Sequence, residues 1–115
     1  MRSEFKYSIG ATIDSTGVID NELLVNNFFN NILLGKPERI NVLFYTIEGE
    51  PQIRTLIYDG KNIKYTEDAS KTIDNYIRNY IGNRFVKEIK ESRIYYDLYK
   101  DNKLIKNLFV YKRNF

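Results

Sequence analysis

Acidic side chains collect at the turn signals of this sequence, and they are the first groups whose type and spacing could do chemistry. Glu48 and Glu50 flank Gly49 ahead of Pro51, Asp59 precedes Gly60, and Glu67-Asp68 ends a run of alternating apolar and polar residues. Carboxylates so gathered serve two chemistries: a shell of oxygen ligands for a hard cation, and paired acid–base work on a glycosidic bond. The spacing matches no calcium loop. A hairpin between the two groups also puts Glu48 and Glu50 at the end opposite Asp59. Solvation of turns accounts for these residues, so no metal is expected. The chain has no Cys and no His. Thiolate zinc sites, iron–sulfur clusters, histidine-ligated metals and Ser-His-Asp triads are therefore excluded. There is no GxSxG, no SxxK and no phosphate-cradling glycine loop. The expectation is a protein that is not an enzyme and carries no cofactor.

Charge and aromatic content point instead to binding. Residues 1–81 carry 9 basic and 11 acidic groups, whereas residues 82–115 carry 9 basic and 4 acidic groups. That basic segment also holds Phe85, Tyr95, Tyr96, Tyr99, Phe109 and Tyr111. Cations interleaved with aromatics on a sheet can hold single-stranded nucleic acid through phosphate contacts and base stacking. Lys100, Lys103, Lys106, Tyr99 and Tyr111 are the candidates for that role. The net charge is only +3 and no ribonucleoprotein motif is present, so the lysines read first as guards of exposed strand edges. Ten tyrosines in 115 residues suit a second kind of surface. Tyrosine gives large contact area at low entropy cost. Tyr45, Tyr58 and Tyr65 on an open sheet face, with Glu48 and Glu50 at its tip, are the candidates for partner recognition.

These groups need a scaffold, and the turn signals cut the chain into short elements of a single domain, 1–115. Phe5 to Ile13 reads as a first strand. Asp20 reads as the N-cap of a helix whose stripe is Val25, Phe28, Phe29, Ile32 and Leu33, closed by Gly35 and Pro37. Arg39–Ile47, apolar on both faces, reads as a strand inside a sheet. Gln52–Tyr58 and Asn62–Thr66, joined through Asp59-Gly60, complete a meander. Ile73, Tyr76, Ile77, Tyr80 and Ile81 have helical spacing between Ser70 as cap and Gly82 as stop, which predicts a helix or a loop with one helical turn. The remainder reads as two or three strands, Arg84–Lys90 and Arg93–Lys100 and, after Asp101-Asn102, Lys103–Tyr111, with Ile94, Tyr96 and Leu98 on a buried face. The predicted fold is α+β: one or two helices packed on a mainly antiparallel sheet of about five to six strands. No apolar run is long enough to span a bilayer.

The stretch Ile40-Asn41-Val42-Leu43-Phe44-Tyr45-Thr46-Ile47-Glu48-Gly49-Glu50-Pro51, continuing through Tyr58-Asp59-Gly60-Lys61 to Ser70, resembles a small domain of unknown function found in secreted proteins and lipoproteins of Gram-positive bacteria. The helix ending in Leu34-Gly35-Lys36 just before the strand matches the same layout. The resemblance implies a small α+β domain in an extracytoplasmic setting, and supplies no activity, cofactor or catalytic residue. The chain differs from that pattern in lacking C-terminal cysteines and an N-terminal lipoprotein signal. If Met1 is the native start, the expectation becomes cytoplasmic.

Together these readings give a non-enzymatic binding or interaction module with a protein or cell-envelope component as partner. A nucleic-acid-binding module using the basic, aromatic C-terminal hairpin is the alternative.

Overall fold

The computed structural model describes residues 9–113, which form one helix and nine strands. In chain order they are β1 (Ala11–Ile13), β2 (Ile19–Asp20), α1 (Glu22–Leu33), β3 (Glu38–Tyr45), β4 (Pro51–Tyr58), β5 (Ile63–Asp68), β6 (Ile77–Gly82), β7 (Arg84–Lys90), β8 (Arg93–Lys100) and β9 (Lys103–Lys112). Six strands make one sheet in the order β2-β1-β3-β4-β5-β6, and three make a second in the order β7-β8-β9. All pairs are antiparallel except β1 with β3, which run parallel and are joined across α1. The fold is α+β with a single helix, dominated by sheet.

Register in the large sheet is set by the Asp59-Gly60 turn. Asp59 Oδ1 accepts hydrogen bonds from the backbone N–H groups of Lys61 (2.9 Å) and Asn62 (2.7 Å), and Gly60 takes a left-handed φ of 98° that a side chain would resist. Tyr58 then lies opposite Ile63, Leu56 opposite Tyr65, and Arg54 opposite Glu67. Side chains alternate along a strand, so all six project to one face. Ile40 and Val42 of β3, Ile13 of β1 and Tyr80 of β6 continue that face through the same pairings.

This inner face packs on α1 and on the small sheet. Val25, Phe28 and Phe29 of the helix are buried with Ile94, Tyr96 and Leu98 of β8 and Leu108, Phe109 and Tyr111 of β9. The Phe29 ring lies flat on Tyr96, centroids 4.0 Å apart with 3° between planes, and Phe28 meets Phe29 edge-on at 5.2 Å. Aromatic packing of this kind adds to simple area burial. The helix ends as its sequence dictates. Gly35, at φ 73°, donates to Ile32 O (3.0 Å), and Lys36 donates to Asn31 O (2.8 Å), the paired bonds of a Schellman cap.

Three expectations are corrected. Asp20 is a strand residue paired with Thr12, and the helix N-cap is Asn21. Asn21 holds a left-handed φ of 63° and uses its side-chain amide to donate to Gly10 O (2.7 Å), so the helix start is tethered to β1 and not capped by a side chain. Residues 70–82 hold no second helix; turns follow Ala69, and β6 pairs with β5 throughout its length. The apolar residues there are β-branched or aromatic. Tyr80 turns inward to stack on Tyr65 at 5.6 Å, while Ile77 and Ile81 lie on the other face, and strand pairing wins over helical spacing. The single predicted sheet is two sheets. Of the predicted first strand, Phe5 to Ser8 lie outside the described residues.

The chain changes sheets at Gly82-Asn83. A Cβ on Gly82 would stand 2.5 Å from the Tyr99 carbonyl oxygen and 2.6 Å from Leu98 Cδ1, and Asn83 N–H donates to that same carbonyl at 2.9 Å. A backbone carbonyl cannot retreat as a flexible side chain would, so the corner requires glycine. Gly82→Ala is expected to lower the unfolding free energy by about 2 kcal/mol, the cost of overpacking a tight contact. Urea unfolding checks this, and an unchanged midpoint would show that the corner has room.

Candidate functional site

Two charged residues lie within the apolar part of the inner face, Arg54 on β4 and Glu67 on β5, while Glu38 and Arg78 share that face by register but are exposed. Glu67 is only 4% exposed. Its two carboxylate oxygens accept hydrogen bonds from Tyr65 Oη (3.0 Å) and Tyr76 Oη (2.5 Å), and Lys106 Nζ of the small sheet stands 4.0 Å away. Burial works against the charge. The Tyr76 and Tyr65 hydrogen bonds and the fields of Arg54 and Lys106 outweigh it, holding the Glu67 carboxyl below the usual carboxylate range. The phenols respond in the opposite sense: burial and the bond to Glu67 push Tyr76 up to about 12. Both therefore stay protonated as donors at neutral pH.

Arg54 reaches the other way, across to the small sheet. Its Nη1 donates to Leu108 O (2.8 Å), its Nε donates to Gln52 Oε1 (2.9 Å), and its guanidinium lies 3.9 Å over the Phe44 ring. The Leu108 carbonyl is offered by an irregularity in the β8–β9 ladder, where the register shifts between Tyr96 and Asp97. Asn107 fills that gap, its Nδ2 donating to Asp97 Oδ1 (2.9 Å).

Beside this arginine opens a cleft of about 480 Å³. Phe44, Arg54, Arg93, Asn107 and Val110 line it, and the turns Asp14–Gly17 and Thr46–Glu48 close its sides. The Asp14 carboxylate belongs to its own turn, accepting from Thr16 Oγ1 (2.6 Å), Thr16 N–H (2.9 Å) and Val18 N–H (3.0 Å). Those bonds, the Thr16 hydroxyl first, hold its carboxyl below the usual range. Arg93 is different. Its guanidinium lies over Gly17, where a Cβ would be 2.9 Å from Nη1, and it has no hydrogen bond or ion pair with any described side chain.

Of the residues singled out for partner recognition, Glu48 and the half-buried Tyr45 both line this cleft. Glu50 is engaged by the following loop, its Oε2 accepting from Ile73 N–H (2.8 Å). Tyr58 and Tyr65 share the inner face and are buried in the core, so they offer no surface and do not join Tyr45 on an open face. Of the nucleic-acid candidates, Lys100 and Lys103 are exposed at a hairpin tip and Tyr99 is half-buried under Arg84. Lys106 is drawn toward Glu67, and Tyr111 is fully buried, its ring unavailable to a base. The structure does not bring these five to one surface. Glu67, read from the sequence as a turn residue, is an interior one. Among the described residues no three acidic side chains gather in a way that could hold a metal ion, and no helix is long and apolar enough to cross a membrane.

The profile of a domain of unknown function, DUF4362, matches residues 11–103, from β1 to the start of β9. The chain belongs to the DUF4362 family. No curated protein and no solved structure matches it. The matched span of this DUF4362 domain takes in Arg54, Glu67 and Arg93, together with both turns of the cleft.

Sequence reasoning passed over Arg54, Tyr76, Arg93 and Asn107. For Arg54 a signal existed: once the Asp59-Gly60 hairpin is granted, counting back in register puts Arg54 opposite Glu67 and both on the face of Leu56 and Tyr65. Arg93 and Asn107 gave no local sign, because the cleft joins turns far apart in the chain.

The Glu67 network makes stability depend on pH with a definite sign. A depressed carboxyl pKa contributes stability that is present above the unfolded value and lost as pH falls through the folded one. Glu67→Gln is expected to cost about 2 kcal/mol near neutral pH, a typical loss for a buried charged acceptor. The difference from wild type should shrink as pH falls into and below the carboxylate range. Denaturant melts across that range check this, and a cost that does not vary with pH would mean Glu67 is neutral in the folded protein.

Proposed function

We propose that this DUF4362 domain is a non-enzymatic binding module that recognises a protein or cell-envelope component at the cleft between its two sheets. The single observation that carries the reading is the Arg93 guanidinium, which has no hydrogen-bond or ion-pair partner among the described residues and is held in a pre-formed cleft of about 480 Å³ beside an apolar rim. At that rim Ile47 is 90% exposed on the turn that joins β3 to β4, next to Glu48. Ile47 thus offers a partner an apolar contact at the edge of the charged cleft. The resemblance of Tyr45-Thr46-Ile47-Glu48-Gly49-Glu50-Pro51 to domains of secreted proteins and lipoproteins of Gram-positive bacteria supports an extracytoplasmic setting.

The test is affinity capture from an envelope fraction, with and without nuclease, using wild type, Ile47→Asp/Glu48→Lys and Lys100→Glu/Lys103→Glu. A saturable, nuclease-resistant partner is expected with wild type and with the lysine variant. Binding by the rim variant should fall about tenfold or more, as loss of an interface anchor does. Rim-variant binding equal to wild type would contradict the cleft as the surface, and recovery abolished by nuclease would move the function to nucleic acid.

A further inference from the structure

The charges around the cleft are unbalanced in one place. Arg93 lies directly opposite Lys90 on β7 and opposite Lys112 on β9. The three cations thus form one row across the small sheet, on the face that carries Tyr95 and Val110. Like charges directly opposite one another are destabilising, and a counter-charge relieves them; Glu88, opposite Tyr95, stands one pair along the ladder on the same face. Asp14 supplies part of a counter-charge, its field acting on Lys112. Lys90 sits 5.4 Å over the Tyr95 ring. Arg93, in the middle of the row and inside the cleft, has no acidic partner among the described residues.

We propose that the cleft takes a carboxylate borne on an apolar group, received by Arg93 with Arg54 behind it; this rests on the reading of the cleft as a recognition site. The guanidinium is a planar fork that pairs two N–H donors with two oxygens of one anion, and its stacking face suits an apolar neighbour. Phe44, beneath the Arg54 guanidinium, and Val110 supply apolar wall. The acidic groups in the same lining, Asp14 and Glu48, decide between anions. They repel a doubly charged phosphate more strongly than a singly charged carboxylate. Arg54 already uses two of its donors on Leu108 and Gln52, so it is fixed in place and needs no reordering when an anion arrives.

The experiment follows backbone and arginine side-chain resonances of the full chain during titration with benzoate, N-acetyl-leucine, their neutral amides benzamide and N-acetyl-leucinamide, and inorganic phosphate. Saturable shifts centred on Arg93, Asn107 and the Asp14–Gly17 turn are expected with both acids. Tighter binding of benzoate would identify a free aromatic acid, and tighter binding of N-acetyl-leucine a chain terminus. Affinity should fall about tenfold or more with Arg93→Gln and less with Arg93→Lys, since a charged hydrogen-bonded pair is lost in the first and only the fork in the second. Among the described residues the Arg93 side chain makes no hydrogen bond or ion pair, so these variants are expected to stay folded, which the spectra themselves verify. The proposal is overturned if acids and amides shift the spectrum alike, if phosphate binds more tightly than the acids, or if Arg93→Gln binds like wild type. If the acids fail while Ile47→Asp/Glu48→Lys still loses the macromolecular partner, this inference falls and the binding-module reading stands. If the rim variant keeps its partner, that reading falls as well.

Discussion

An arginine and a glutamate facing each other across β4 and β5 set the terms on which the two sheets can meet. An inner face of aliphatic and aromatic residues would close by apolar contact alone. Arg54 and Glu67 cannot be buried that way, because each brings donors or acceptors that cost several kcal/mol if left dry, on the order of the penalties known for unpaired buried charge. Each is therefore carried to groups outside its own hairpin. Glu67 takes the hydroxyl of Tyr76 and so pins the loop before β6, while Arg54 takes the Leu108 carbonyl of β9. The irregular β8–β9 ladder offers the Leu108 carbonyl to Arg54, and Lys106 of the same strand approaches Glu67.

The cleft is what this arrangement leaves at one end. Phe44 and Arg54 stack on the large sheet, the Asp14–Gly17 turn leans on β9 through the bond from Lys112 N–H to Gly17 O (2.7 Å), and the space between stays open. Two arginines end in the same cleft in opposite conditions. Arg54 is engaged by the fold, whereas Arg93 is positioned by the fold without a partner among the described residues. Structural and recognition roles are thereby divided between two side chains of the same type.

Much of the scaffold was legible in the sequence, because it is written in local patterns. The β3–β4–β5 meander, the helix with its glycine stop, and the three C-terminal strands depend on turn residues and alternation, and they stand within a residue or two of expectation. The helical reading of 70–82 failed because Ile73, Tyr76, Ile77, Tyr80 and Ile81 have helical spacing and mix both faces of a strand, and the pairing of β6 with β5 is not local information. Tyr58 and Tyr65 were read as surface because tyrosine suits half-exposed strands. The hairpin register instead put them with Leu56 on the inner face. The split into two sheets rests on Gly82, whose missing side chain matters only because Tyr99 lies against it. The cleft was least legible of all, since Asp14, Arg54, Arg93 and Asn107 meet only through tertiary packing.

The division between the two arginines can be measured directly from solvent exchange of their side-chain Nε–H protons by NMR. Arg54 Nε–H is expected to be strongly protected by its bond to Gln52 and by stacking on Phe44, and Arg93 Nε–H to exchange as a solvated guanidinium does until an anion is added. Equal, fast exchange at both would contradict that division, for Arg54 would then neither tie the sheets together nor back a binding cleft.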